Sequence, residues 1–136
     1  MVTMNRSDLR IVVADDNKDA ALTLSMLLDR LGFQVVSTAY DGAAALECIE
    51  KESPHVAILD IALPEMDGYE VARRIREERA HSPRLIAVTG LGSSCDRTDA
   101  VEAGFDAYFV KPVQRAELER LLLAFLEARN PDAAEA

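Results

Sequence analysis

The stretch "RIVVADDNKD" (residues 10–19) runs from an apolar segment, Ile11–Ala14, directly into two adjacent carboxylates, Asp15 and Asp16. Burying charge without a partner is costly, so a core strand that ends this way calls for something to hold both acids. Outward from it the chain alternates. Apolar runs recur at "QVVSTA" (34–39), "VAILD" (56–60), "RLIAVT" (84–89) and "AYFV" (107–110). Helical patterns separate them. The first starts at about Lys18, with Asp16 or Asn17 placed as its cap and Leu24, Leu27, Leu28 and Leu31 on one face. Gly32 follows, where a left-handed cap is wanted. A second helix turns Ala45, Leu46 and Ile49 inward, and a third, about Tyr69–Glu78, turns in Val71, Ala72 and Ile75. The fourth, about Cys95–Ala103, has only Val101 as a large aliphatic residue, which predicts a modest hold on the core. The fifth, about Arg115–Ala128, packs through Leu118, Leu121, Leu122 and Phe125. Five β-α units in sequence predict a doubly wound α/β domain with a parallel five-stranded sheet, helices on both faces and ligand contacts at the carboxyl ends of the strands.

Composition narrows the function. The chain has 136 residues, enough for one domain, and a net charge of −9. Such a surface repels phosphate backbones, which argues against direct nucleic-acid binding. No apolar run reaches the ~18 residues of a membrane span, and "MVTMNRSDLR" lacks a signal peptide's apolar stretch. Cys48 and Cys95 have no metal-ligand spacing, so a reducing, cytoplasmic setting is expected. The charges of "RRIREER" (73–79) read as a solvated helix face, and His55 and His81 as exposed loop residues.

The strand ends carry the chemistry. The first strand ends in Asp15–Asp16, the third in Asp60, the fourth in Thr89 and the fifth in Lys111. If the strand order is 2-1-3-4-5, three carboxylates converge beside one hydroxyl and one ammonium. Two like charges ~4 Å apart repel by about 4 kcal/mol at an effective dielectric near 20. A hard divalent cation removes that penalty, and Mg²⁺ characteristically binds a few carboxylate oxygens while keeping positions for water or phosphate. Each residue taken singly also fits a cap, a turn or a solvated end. Their coincidence on one edge favours the metal.

These residues also carry a resemblance. "DD" after an apolar strand, "ILDIALPEMDG", "AVTG" and "FVKP" resemble, in order, the motifs of the receiver domain of bacterial two-component response regulators, over about residues 9–126. The resemblance implies a flavodoxin-like (βα)5 three-layer sandwich of order 2-1-3-4-5, a receiver domain at 9–128, and flexible termini at 1–8 and 129–136. It implies that Asp60 accepts a phosphoryl group from a histidine kinase or histidine phosphotransfer protein. Asp16 would be a direct Mg²⁺ ligand and Asp15 would act mainly through metal-bound water. Asp60 and the backbone carbonyl of Ala62 would complete the metal site. Thr89 matches the switch hydroxyl, Lys111 the phosphate-binding ammonium and Tyr108 the aromatic that changes rotamer. Pro112 matches a cis proline that aims Lys111 inward, and Gly68 a turn glycine at which a positive φ is tolerated. Phosphorylation would alter a surface made by the fourth helix, fifth strand and fifth helix, which a downstream protein reads. No turnover of an external substrate is implied.

Gly90 stands where the family often has alanine, and "VTGLG" resembles receivers attached to hybrid histidine kinases. The expected unit is a single-domain regulator, a relay intermediate or an excised receiver. The resemblance implies that the side chains two places after the acceptor and the switch hydroxyl influence hydrolysis; here they are Ala62 and Leu91, which cannot orient a water, so a persistent aspartyl phosphate is expected. Two rivals are a non-phosphorylated pseudo-receiver and an aspartyl-phosphate phosphatase of the haloacid dehalogenase type. The intact acidic set opposes the first. Ala62, where the phosphatases carry a second Asp, opposes the second.

Overall fold

A computed structural model describes residues 3–78, 82–90 and 97–130. Strands β1 (Arg10–Ala14), β2 (Gln34–Ala39), β3 (Val56–Asp60), β4 (Arg84–Thr89) and β5 (Ala107–Val110) alternate with helices α1 (Lys18–Arg30), α2 (Gly42–Glu52), α3 (Gly68–Glu78), α4 (Arg97–Ala103) and α5 (Arg115–Arg129). The sheet is parallel, in the order β2-β1-β3-β4-β5. This is the expected fold. The sequence signal was strong because β3 is buried along its whole length and β4 along all but its first residue, as strands covered on both faces must be.

Side-chain alternation divides the core into two layers. Ile11, Val13, Val56, Ile58, Ile86 and Val88 meet α1 and α5 through Ala21, Leu28, Leu118, Leu122 and Leu126. Val12, Ala14, Ala57, Leu59, Leu85 and Ala87 face α2, α3 and α4, whose inward residues include Ala45, Ile49, Val71, Ala72, Ile75, Ala100 and Ala103. The second layer is richer in alanine, so its helices can lie close to the sheet.

The expectations for Val101 and His55 are corrected. Val101 is 63% exposed, and α4 is seated instead by Ala100 and Ala103. The first part of the expected fourth helix, Cys95 and Asp96, lies outside the described residues, as do His81 and Leu91. His55 is not a free loop residue: its Nδ1 accepts the Arg10 N–H at 3.0 Å, while its own backbone bonds Arg10 and Arg84. It joins the starts of three strands.

Arg76 departs from the solvated reading as well. Arg73 and Arg74 pair with Glu70 on the surface. Arg76 donates to the Gly104 carbonyl from Nε and Nη2 (2.9 and 2.7 Å), to Asp106 at 2.9 Å, and to the Pro83 carbonyl and Ser82 hydroxyl at 2.8 and 2.7 Å. It lies four residues after the buried Ala72, on the core-facing stripe of α3.

Of the termini expected to be flexible, residues 1–2 and 131–136 lie outside the described set. A 3-10 turn, Arg6–Asp8, precedes β1. Arg6 donates to the Leu31 carbonyl at 2.8 Å and to Glu119 at 2.7 Å, and its guanidinium lies over Phe33. Met4 and Asn130 exchange two hydrogen bonds, of 2.8 and 3.1 Å. Among the described residues no helix is long and apolar enough to cross a membrane.

Candidate functional site

The parallel sheet brings the charged strand ends to one edge. Asp15 follows β1 and is fixed by its own N–H on the Ala39 carbonyl. Asn17 then caps α1, its side chain accepting from the Asp19 and Ala20 N–H groups. Asp60 ends β3 opposite Val88, and Thr89 ends β4 opposite Val110. Lys111 follows β5, with its N–H on the Thr89 carbonyl at 2.7 Å. The Lys111–Pro112 peptide bond is cis.

Asp15, Asp60 and Thr89 are buried, with 7%, 5% and 3% of their surface exposed. The Lys111 ammonium reaches in from the more open side and donates to Asp15 Oδ2 at 2.7 Å and to Asp60 Oδ2 at 3.0 Å. The remaining carboxylate oxygens are also engaged. Asp15 Oδ1 accepts the Asn17 N–H, and Asp60 Oδ1 accepts the Ala62 N–H at 2.9 Å. Both carboxylates are therefore held in orientation before any ligand arrives. Burial lowers the affinity of the Lys111 ammonium for its proton, but the two carboxylate hydrogen bonds outweigh it and hold the group above the ordinary lysine value. Its pairing is in place throughout neutral pH and is lost only as pH rises through that elevated value.

Asp16 is exposed at the rim, and carboxylate oxygens of Asp15, Asp16 and Asp60 all lie within 4.8 Å of one another. Such a set of hard oxygen donors fits Mg²⁺. The lysine between two of them shows that the place favours a cation. Ala62 is exposed beside Asp60, at the start of the β3–α3 connection. Tyr108 is half-buried on β5, its ring centroid 6.0 Å from the Arg97 guanidinium of α4.

Asp15, Asp16, Asp60 and Lys111 thus lie together, with Thr89 at the end of the adjacent strand β4, Ala62 next to Asp60 and Tyr108 on β5. Gly68 requires correction. It has no positive φ; an added Cβ would lie 2.7 Å from the Asp60 carbonyl oxygen, so close approach is what demands glycine. The left-handed residue of this loop is Glu65, at φ 68°. A cavity of about 540 Å³ beside the acids was not anticipated. Leu24 and Leu27 of α1, Ile58, Val88 and Val113 line it. Its sequence signal was ambiguous, because both leucines also fit the core stripe.

The family model for the response regulator receiver domain matches residues 11–123. A curated relative, named probable transcriptional regulator ycf27 of Guillardia theta, is 38% identical over 121 residues, covering 89% of this chain and 46% of that protein. The chain spans about half the length of the ycf27 relatives it matches. Among solved structures, the signal receiver domain of NarL from Mycobacterium tuberculosis aligns with a TM-score of 0.79 at 30% identity, covering 89% of this chain and 98% of that one. The receiver domain of a Pseudomonas aeruginosa sensor histidine kinase, with magnesium coordinated in its active-site cleft, aligns with a TM-score of 0.75 at 30% identity, covering 87% and 97%. Motif order, strand order and the placing of the acids at the sheet's carboxyl edge agree with a match that runs through all five strands. The chain belongs to the response regulator receiver domain family of two-component signalling.

Proposed function

We propose that this receiver accepts a phosphoryl group on Asp60 from a phosphohistidine of a histidine kinase or histidine phosphotransfer protein. The observation that carries this reading is the Asp60 carboxylate, buried, oriented by the Ala62 N–H and paired with Lys111. One Asp60 oxygen attacks phosphorus in line with the histidine nitrogen. The P–N bond breaks as the P–O bond forms, its electron pair stays on the ring nitrogen, and the leaving imidazole takes a proton from solvent water. Phosphoryl transfer depends mainly on positioning and charge neutralisation, and a preset carboxylate supplies the first.

Asp16 and Asp60 would hold Mg²⁺ directly, with the Ala62 carbonyl, and Asp15 through water. An ion held by these residues would neutralise charge on the transferring oxygens. Lys111, paired with Asp15 and Asp60, turns its ammonium to the incoming phosphoryl oxygens. Thr89 offers its hydroxyl to the phosphoryl group, and Tyr108 reads that movement on the α4–β5–α5 surface, which a downstream protein recognises. Asp60 turns over no external substrate. An apolar ridge, Leu22 (59% exposed) and Met26 (49%), stands on α1, the helix that lines the cavity beside the acids. It suits the approach of an apolar protein surface rather than nucleic acid. We place this exchange in the cytoplasm.

Incubation with acetyl phosphate and Mg²⁺, followed by intact mass, tests the reading. One labile phosphate should appear on the parent and none on Asp60→Asn. Equal labelling of the two would remove Asp60 from the mechanism. An unlabelled parent would leave an interaction module that works without phosphate.

A further inference from the structure

The β3–α3 connection, which carries Ala62, is shaped by contacts from another element. The Met66 N–H donates to the Pro64 carbonyl at 2.8 Å, closing a three-residue turn around Glu65 at φ 68°. That conformation is rare and strained for a residue with a side chain. The same Pro64 carbonyl accepts a second N–H, at 3.3 Å, from Gly42, the buried first residue of α2. Gly42 sits so tightly on the turn that an added Cβ would overlap the Met66 carbonyl oxygen outright and lie 2.7 Å from the Met66 Cβ. The main obstacle is backbone, so no side-chain rotation relieves it.

The start of α2 is itself fixed. Asp41 caps it by accepting the Ala44 N–H at 2.7 Å, and Ala45 and Ile49 anchor it in the core. Downstream, the Gly68 N–H returns to the Ile61 carbonyl at 2.9 Å. Between these two clamps lies Ala62, whose N–H orients Asp60. From this geometry we propose that Gly42 is a positioning residue for the phosphoacceptor site. It lets α2 seat against the Pro64–Met66 backbone, holds the strained turn closed, and so sets Ala62 relative to Asp60. This inference rests on the reading of Asp60 as phosphoacceptor.

The test compares the parent with Gly42→Ala, Gly32→Ala and Glu65→Gly. Gly32→Ala is the control: it strains a left-handed glycine (φ 94°) in the α1–β2 turn, at the opposite edge of the sheet. Mg²⁺ affinity is read from amide shifts, labelling by acetyl phosphate from intact mass, and stability from urea unfolding. In Gly42→Ala, Mg²⁺ affinity and labelling rate should each fall about tenfold or more, with shifts displaced at Ala62 and Met66. Gly32→Ala should lose stability alone. Glu65→Gly should keep both site properties within about twofold, because the brace and not the stiffness of Glu65 holds the turn. Near-parent binding and labelling by Gly42→Ala would overturn the proposal, as would equal losses in Gly32→Ala. Should Gly42→Ala not fold, Glu65→Gly decides: retention supports the brace, and a loss of about tenfold refutes it. A parent that takes no phosphate counts against the Asp60 reading instead. Displaced Ala62 shifts in Gly42→Ala would still uphold the brace.

Discussion

Lys111 lies between two carboxylates that are 10% and 7% exposed, while its own side chain is 33% exposed. Removing one partner of a fully buried pair costs about 3–5 kcal/mol, because the other charge is stranded. Solvent at Lys111 screens part of that, so Lys111→Met should lower stability by about 1–3 kcal/mol without metal. Mg²⁺ supplies the missing positive charge, and a ligand that binds only the folded state stabilises it by mass action. The gap between Lys111→Met and the parent should therefore narrow as Mg²⁺ is added in urea titrations. A gap that stays constant across the titration would show that the ion and the ammonium do not serve the same carboxylates. These residues were legible in the sequence because each stands at the end of an apolar run. Gly42 was not, since its importance comes from the backbone of residues 64–66, which no local pattern reveals.

Among the elements, α4 differs from its neighbours in how it is held. Its described stretch, Arg97–Ala103, buries only alanines and runs into Gly104, whose carbonyl takes two bonds from the Arg76 guanidinium. Asp106 continues the join, accepting from both Arg76 and the Leu85 N–H. A flat fork serves several acceptors at once in a way that an ammonium cannot. Arg76→Ala should cost about 2 kcal/mol or more in urea unfolding, because it takes the guanidinium donors from the part-buried Gly104 and Pro83 carbonyls. Arg76→Lys should recover less than half of that. Hydrogen exchange at Phe105 should quicken in both variants. If lysine restores full stability, charge alone matters and the fork geometry is incidental. The strands could be read from sequence because burial on both faces leaves unbroken apolar runs. The packing of α4 could not, because small alanines carry little periodic signal while Val101 misleads. Arg76 did leave a trace: the helical period puts a charge on the buried stripe of α3, a conflict that a partner had to resolve.

Over the whole molecule, the site and the ends of the described chain belong to opposite concerns. The acids sit where strands finish; Met4 pairs with Asn130, and Arg6 bridges Leu31 and Glu119. Residues far apart in sequence, 4 and 130, are thus adjacent in space. The order in which the β-α units are threaded can then be changed without moving any of them. A circular permutant that joins residue 130 to residue 4 through a short glycine-serine linker, and opens between Ser53 and Pro54, keeps every strand pairing. Its new ends lie at the sheet edge away from Asp60. Such cuts are best tolerated at exposed connections; here Ser53 is exposed and Pro54 buried, so the new first residue must stay packed. The permutant should fold and take acetyl phosphate at a rate within about threefold of the parent, with a stability loss set mainly by the altered loop closure. Failure to fold would mean that the α2–β3 connection, with its His55 joint, must be covalently continuous. Success would define the receiver as a ring of β-α units, closed at Met4 and Asn130 by hydrogen bonds instead of by a peptide bond.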